Sequence, residues 1–237
     1  MTKANSTSND KLNRTAPVAL FDLDYTLISS DCTAHWLRFL IMRSFKRKAL
    51  VAILLPIIKL LSLCKVNLAT RNSVYLWAAT VGVSSRKYLT LRRQAAHHVI
   101  QTKGVQAYVN GLERLHWHQS QGHRVVVVTG ALRWLARDVC KALGISYDYL
   151  LGSSEKNSFG GRVSDVFCYH QNKVTLLSLH GLLNDGRADY GYSDSAADIP
   201  MLDICEYKFI INPKPKCQQQ FEESFGSDTV LFNWQKT

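Results

Sequence analysis

Two carboxylates and a hydroxyl at alternate positions, Asp22, Asp24 and Thr26, close an apolar run that begins at Pro17. Alternate residues of an extended segment face one side, so Asp22 and Asp24 can project together as the chain leaves a strand. Paired acids suit phosphoryl transfer, in which one carboxylate attacks and its neighbour carries a proton. An ordinary acidic strand-to-loop turn has the same composition, because Asp and Thr are common turn residues. Partners further along the chain strengthen the chemical alternative. Thr129 and Gly130 end the β-branched run that starts at Val125, and Lys173 heads a helical pattern. Asp194 and Asp198 follow a short strand pattern over residues 188–193. Taken singly, a Thr at a strand end is more often a cap, and a Lys at a helix start is more often solvated. Asp198 could equally pack at the start of its own helix and favour the dipole there.

These residues need a scaffold that gathers strand ends. Strand and helix patterns alternate over residues 125–129, 132–143, 147–151, 173–183, 188–193 and 208–212, which predicts an α/β fold with a doubly wound parallel sheet. In such sheets ligands bind outside the carboxyl ends of the strands, where Asp22, Thr129 and Asp194 fall. Polar residues 154–158, followed by Gly160 and Gly161, predict a hairpin flanking the sheet. Asp22 and Thr129 are 107 positions apart (129 − 22), far more than one strand-helix unit needs, so the sequence predicts an inserted helical cap. Its helical patterns cover residues 35–42, 50–63, 70–79 and 85–110. The expected organisation is a flexible polar tail over residues 1–15, a catalytic core formed by 16–32 and 113–237, and the cap over 33–112.

The cap carries the chain's most unusual surface signal. Arg43, Lys46, Arg47 and Lys48 precede residues 49–64, which are apolar almost all round. Sixteen residues with Pro56 and Lys59 inside fall short of the ~20 that cross a bilayer simply. Site residues lie on both sides of this segment in the chain, so a single crossing would part them. The segment is expected to lie in the membrane interface, to re-enter, or to cross twice with residues 74–83 as a return leg. Burial against other cap helices is the alternative. The 29 Lys and Arg against 18 Asp and Glu give a net charge of +11, with basic residues concentrated in the cap. Basic charge beside apolar residues favours an anionic membrane surface. Nucleic acid is not expected, because the basic residues flank Leu and Ile runs and not an aromatic stacking platform.

With Asp22, Asp24, Thr26, Thr129, Lys173, Asp194 and Asp198 in this order, the chain resembles the haloacid dehalogenase superfamily over residues 16–212. It departs from the family at Tyr25, where Gly is usual. The resemblance implies a Rossmann-like core and a magnesium-dependent phosphomonoesterase. Asp22 would be the nucleophile and Asp24 the general acid, kept protonated by the charge beside it. Thr26, Thr129, Gly130 and Lys173 would bind phosphate. Asp22, the Asp24 carbonyl and Asp194 would hold Mg2+, a hard cation suited to oxygen ligands, and Asp198 would support Lys173.

The helical cap after the first motif resembles the phosphoserine phosphatase-like branch. Leu54 to Ile58, Leu76-Trp77, Val81-Gly82 and Gly191 to Ser195 with Pro200-Met201-Leu202 resemble the bacterial phosphatidylglycerophosphatase C family. That resemblance implies a phospholipid substrate, phosphatidylglycerophosphate, and a place at the cytoplasmic face of the cell inner membrane. A soluble phosphatase of a small metabolite such as phosphoserine or a sugar phosphate is the alternative expectation. A non-catalytic membrane-surface binding protein is a third.

The remaining signals add no site. Six cysteines without paired spacing read as free thiols. His97-His98 and His116-Trp117-His118 read as solvated helix-surface residues, since nothing nearby completes a tetrahedral metal set.

Overall fold

A computed structural model of the protein describes residues 16–64, 68–102, 104–226 and 228–235. The polar tail expected over residues 1–15 lies outside them. The apolar run after Pro17 forms β1 (Val18–Phe21), whose four side chains are all buried. β1 is flanked by β2 (Arg124–Leu132) and by β6 (Ala188–Ser193), both parallel to it. With β3 (Tyr149–Ser153), β7 (Cys205–Ile211) and β8 (Thr229–Phe232) these make a parallel sheet in the order β3-β2-β1-β6-β7-β8. Strand order reverses between β1 and β6, which creates the crevice where such sheets bind ligands. The doubly wound α/β architecture expected from the sequence is therefore present.

Alternation along the strands builds two cores. Ala19, Phe21, Val125 and Val127 face one layer with Leu115, Leu135 and Val139. Val18, Leu20, Val126 and Val128 face the other with Leu177 and Met201. The helices of these layers are α5 (Val109–Ser120), α6 (Arg133–Ala142), α7 (Gln171–Leu179) and α8 (Ile199–Asp203), and α9 (Pro215–Phe225) joins β7 to β8. Gly191 sits where the β6 backbone meets the α8–β7 turn. A Cβ there would lie 2.6 Å from Cys205 Sγ and 2.9 Å from Leu202 Cδ2.

Between β1 and β2 the chain forms α1 (Cys32–Met42), α2 (Phe45–Leu63), α3 (Leu68–Thr80) and α4 (Ser85–His97). The helix expected over residues 85–110 is not continuous. A π-helical turn at His98–Thr102 ends it, and α5 begins only at Val109. Ser29 Oγ accepts from Gln106 N at 3.1 Å and Tyr108 N donates to Leu27 O at 2.9 Å, pinning the intervening chain to the loop after β1.

The expected hairpin is present as β4 (Glu155–Ser158) and β5 (Gly161–Ser164), but it packs on α3 and does not extend the sheet. Trp77 Nε1 donates to Phe159 O at 3.1 Å, and Arg162 N donates to Thr80 Oγ1 at 2.8 Å. At its other edge, Glu155 accepts from Tyr88 of α4 and Trp134 of α6 at 3.0 and 3.1 Å. The hairpin thus ties the inserted helices to the core.

α2 does not bury its apolar surface as the alternative reading of residues 49–64 required. Ile58 is buried, but Phe45, Ile53, Leu55, Ile57, Leu60 and Leu63 are exposed, Phe45 by 84% and Leu63 by 73%. Among the described residues, no helix is long and apolar enough to cross a membrane. The proposed return leg is also occupied otherwise, since Leu76, Ala78, Ala79 and Thr80 of α3 are buried inside the protein.

Candidate active site

The site lies at the carboxyl ends of β1, β2, β6 and β7. Asp22 follows β1 directly, and its N–H donates to Tyr192 O of β6 at 3.0 Å, so sheet pairing continues into Asp22. Lys173, from the first turn of α7, donates to Asp22 Oδ1 and to Asp198 Oδ2, each at 2.7 Å. All three side chains are buried. Ser193 Oγ also donates to Asp198 Oδ2, at 2.8 Å. Asp198 makes no helix-capping bond with its side chain, so its partner is the lysine.

Thr26 stands behind the carboxylates, fully buried. Its Oγ1 lies 3.4 Å from Asp22 Oδ2 and 3.3 Å from Asp194 Oδ1, and it accepts from Asp194 N at 3.0 Å. It therefore fixes the spacing of two acids and does not line the cavity. Thr129 is likewise buried, and its Oγ1 accepts from Ala131 N at 3.0 Å. Gly130 and Ala131 line the cavity in its place. A threonine at a strand end has ready backbone donors in the following turn, and the Thr129 hydroxyl accepts from one of them.

The cavity these residues surround measures about 330 Å³. Asp22, Asp24, Asp194, Asp198 and Lys173 line it, together with Tyr25, Ser195 and Lys214, which sequence reasoning gave no binding role. The signal for Lys214 was available, because Asn212-Pro213-Lys214-Pro215 leaves a strand at the binding edge of the sheet. Tyr25 has a positive φ of 62°. That left-handed conformation costs a non-glycine residue roughly 1–2 kcal/mol, and it accounts for glycine being usual there in the family the sequence resembles.

Confinement of so many acids shows in their protonation. Burial raises Asp22 to about 6, with Lys173 opposing and Asp198 adding to the rise. Burial, then the neighbouring Asp31 and Asp22, push Asp24 well above the usual carboxylate range. Burial, then Asp22 and Asp198, bring Asp194 to about 7. Lys173 is held charged: burial opposes its charge, but Asp198 and Asp22 together outweigh that and raise it. Asp24 thus has the environment of an acid that keeps its proton near neutral pH, while Asp22 keeps a cation against one oxygen.

Among the described residues, no three His, Cys, Asp or Glu side chains are grouped to hold a metal. The hard-oxygen set required by magnesium is smaller: one or two carboxylates, with water and substrate phosphate completing it. Asp22 and Asp194, linked through the Thr26 hydroxyl and both raised first by burial, fit that requirement.

A second cavity of about 470 Å³ adjoins the first and shares Asp31, Thr33, Asn72, Gly130 and Phe167 with it. Leu37, Ile41, Met42, Val51, Tyr75 and Leu76 give it an apolar wall.

His118 departs from the solvated position expected for it. It is fully buried, with Nε2 2.8 Å from Tyr192 Oη and Nδ1 2.8 Å from His123 Nδ1. His97 and His116 are exposed. All six cysteines are free thiols.

Comparison with known proteins agrees with this geometry. The profile of the haloacid dehalogenase-like hydrolases matches residues 19–203. A structure of a protein of unknown function from Bordetella pertussis Tohama I superposes with a TM-score of 0.69 at 20% identity, covering 91% of this chain and 99% of that one. A HAD family hydrolase from Salmonella enterica subsp. enterica serovar Typhi gives 0.60 at 15% identity, covering 92% and 69%. A substrate-bound phosphoserine phosphatase gives 0.55 at 15% identity, covering 88% and 91%. At these identities the structural matches establish a shared fold.

Proposed function

The chain belongs to the haloacid dehalogenase-like hydrolase family, and from that premise we propose that it is a magnesium-dependent phosphomonoesterase acting on an anionic phospholipid, phosphatidylglycerophosphate. The observation that carries the phosphatase assignment is Lys173 bridging Asp22 and Asp198 at 2.7 Å in a cavity shared with a half-buried, proton-retaining Asp24. A carboxylate oxygen of Asp22 attacks phosphorus in line, and the ester P–O bond breaks. Asp24 gives its proton to the departing alkoxide. Asp24 then takes a proton from water, whose oxygen attacks phosphorus and breaks the bond to Asp22, releasing phosphate and restoring both acids. Lys173 keeps its positive charge against Asp22 throughout and balances charge on the transferring group. Asp22, Asp194 and the Asp24 carbonyl would hold Mg2+, which when bound neutralises charge on the phosphate oxygens.

The substrate class rests on the apolar cavity adjoining the catalytic one, and on α2, whose exposed apolar side chains follow Arg43, Lys46, Arg47 and Lys48. An apolar helix preceded by basic residues suits the surface of an anionic membrane, and residues 49–64 would lie in its interface. A phosphatidylglycerophosphate substrate would put the site of action at the cytoplasmic face of the inner membrane, and a basic, apolar surface is compatible with that location. Phosphate release from phosphatidylglycerophosphate in mixed micelles with Mg2+, compared with phosphoserine and a sugar phosphate, tests the assignment. The expected result is preferential hydrolysis of the lipid, falling at least about 10³-fold in Asp22→Asn. Turnover of the soluble esters alone would overturn the lipid assignment. Absence of Asp22-dependent turnover would overturn the phosphatase.

A further inference from the structure

We infer that Lys214 and Tyr25 form a second anion subsite in the catalytic cavity, which takes a negatively charged group on the alcohol side of the scissile ester. The inference rests on the phosphomonoesterase reading above and adds a substrate requirement to it: the preferred ester carries a second anion.

Two lysines line the catalytic cavity, and they are held differently. Lys173 is committed to Asp22 and Asp198. Among the described residues no carboxylate comes within 4.0 Å of Lys214 Nζ, although Asp22, Asp24, Asp31, Asp194 and Asp198 share the cavity wall with it. Its contact is with an aromatic face: Nζ lies 5.2 Å from the centroid of the Tyr25 ring. An ammonium over a tyrosine is directed without being neutralised, so its charge remains available to a ligand.

The backbone beneath Lys214 is fixed. Pro213 and Pro215 flank it, each restricting its own φ. Asn212 is locked in turn, with Nδ2 donating to Trp234 O at 3.1 Å and Oδ1 accepting from Trp234 N at 2.9 Å. Asn212 N also donates to Phe232 O at 2.9 Å. A long flexible side chain thus rises from a rigid base at the binding edge of the sheet, and little backbone ordering remains for ligand binding to impose.

Tyr25 supplies the second, independent observation. It follows Asp24 directly, adopts φ 62°, and is 38% exposed on the cavity wall. A residue in a sparsely populated conformation persists when its surroundings over-determine it, and such residues cluster at ligand clamps. Here the strained backbone delivers an aromatic ring to the free lysine, beside the position that protonates the leaving alcohol.

The second anion could be a phosphodiester, as in a lipid headgroup, or a carboxylate, as in a small metabolite. Calorimetric titration of the full-length Asp22→Asn protein with Mg2+ would measure binding without turnover. The probes are glycerol 3-phosphate, phosphoserine and the deacylated headgroup glycerophosphoglycerol phosphate. At least one ligand with a second anion should bind about tenfold or more tighter than glycerol 3-phosphate, the range of a charge-assisted hydrogen bond. That ratio should collapse toward one when Lys214→Gln is added, persist with Lys214→Arg, and shrink in part with Tyr25→Leu. A headgroup advantage points to the phosphodiester source and a phosphoserine advantage to the carboxylate; either supports the subsite. A ratio near one in the Asp22→Asn background, or one unaffected by Lys214→Gln, would overturn it. If the ratio behaves as expected while the wild-type protein releases no phosphate, the subsite stands and the phosphatase assignment falls.

Discussion

At the scale of single residues, the site concentrates negative charge that the protein alone does not balance. Asp22 and Asp194 sit near 6 and 7, raised by burial and by neighbouring carboxylates. A carboxylate raised in the folded state takes up protons more readily there than in the unfolded chain. Its contribution to stability is therefore lost as pH rises through the folded value. Without divalent cations, the melting temperature should fall between about pH 5.5 and 8, and Mg2+ should restore more of it at the higher pH. Thermal scans in EDTA and in millimolar Mg2+ check this; equal Mg2+ gains at both pH values would contradict it. Asp194→Asn in EDTA should be more stable than wild type at pH 8. The identities of these acids were legible from spacing, because strand ends and helix starts brought them into one order. The orientations of Thr26 and Thr129 were not, since a hydroxyl chooses among local backbone donors and acceptors that only the folded turn reveals.

At the scale of elements, apolar runs made most strands legible. Val125 to Val128 and residues 188–193 became β2 and β6 because buried parallel strands need near-continuous apolar or small residues. The helical pattern over residues 85–110 misled, because periodicity cannot register the backbone ties of Ser29 and Leu27 that draw the chain away after the π-helical turn. α9 is mostly polar and buries only Phe221, and β8 spans four residues, so neither presented a clear apolar pattern. α2 is the element whose surface most needs a partner. Ile53 and Leu60 are 69% and 59% exposed, so replacing both with Ser should leave folding stability within about 0.5 kcal/mol. Each side chain contributes roughly 1.5–3 kcal/mol when transferred from water to an apolar phase. The double variant should accordingly bind anionic vesicles about 100-fold less tightly, as read by co-sedimentation, while turnover of a soluble phosphate ester is unchanged. Unaltered vesicle binding would remove α2 from the membrane contact.

At the scale of the whole molecule, His118 joins the helical layer to the centre of the sheet through Tyr192 and stacks edge-on against Phe21. Burial, then His123 and Arg114, depress it from 6.5 to about 3. The folded state thus refuses a proton that the unfolded chain accepts. The stability this contributes is complete above about pH 6.5 and is lost as pH falls toward 3, at up to about 1.4 kcal/mol per pH unit. Denaturation of wild type beside His118→Gln at several pH values isolates the effect, because the carboxylates titrate alike in both. The gap between the two proteins should narrow on acidification, and parallel curves would contradict the assignment. The order of elements has a consequence for biosynthesis as well. β1 is completed by β6, so the centre of the sheet cannot close until Ser193 has been made. α2 ends at Leu63, about 130 residues earlier, and at roughly 5–20 residues per second the ribosome needs on the order of 10 s to cover that distance. Throughout that interval the nascent chain presents a long helix with several apolar side chains and no finished domain to rest on, so an encounter with an apolar surface can precede closure of the sheet.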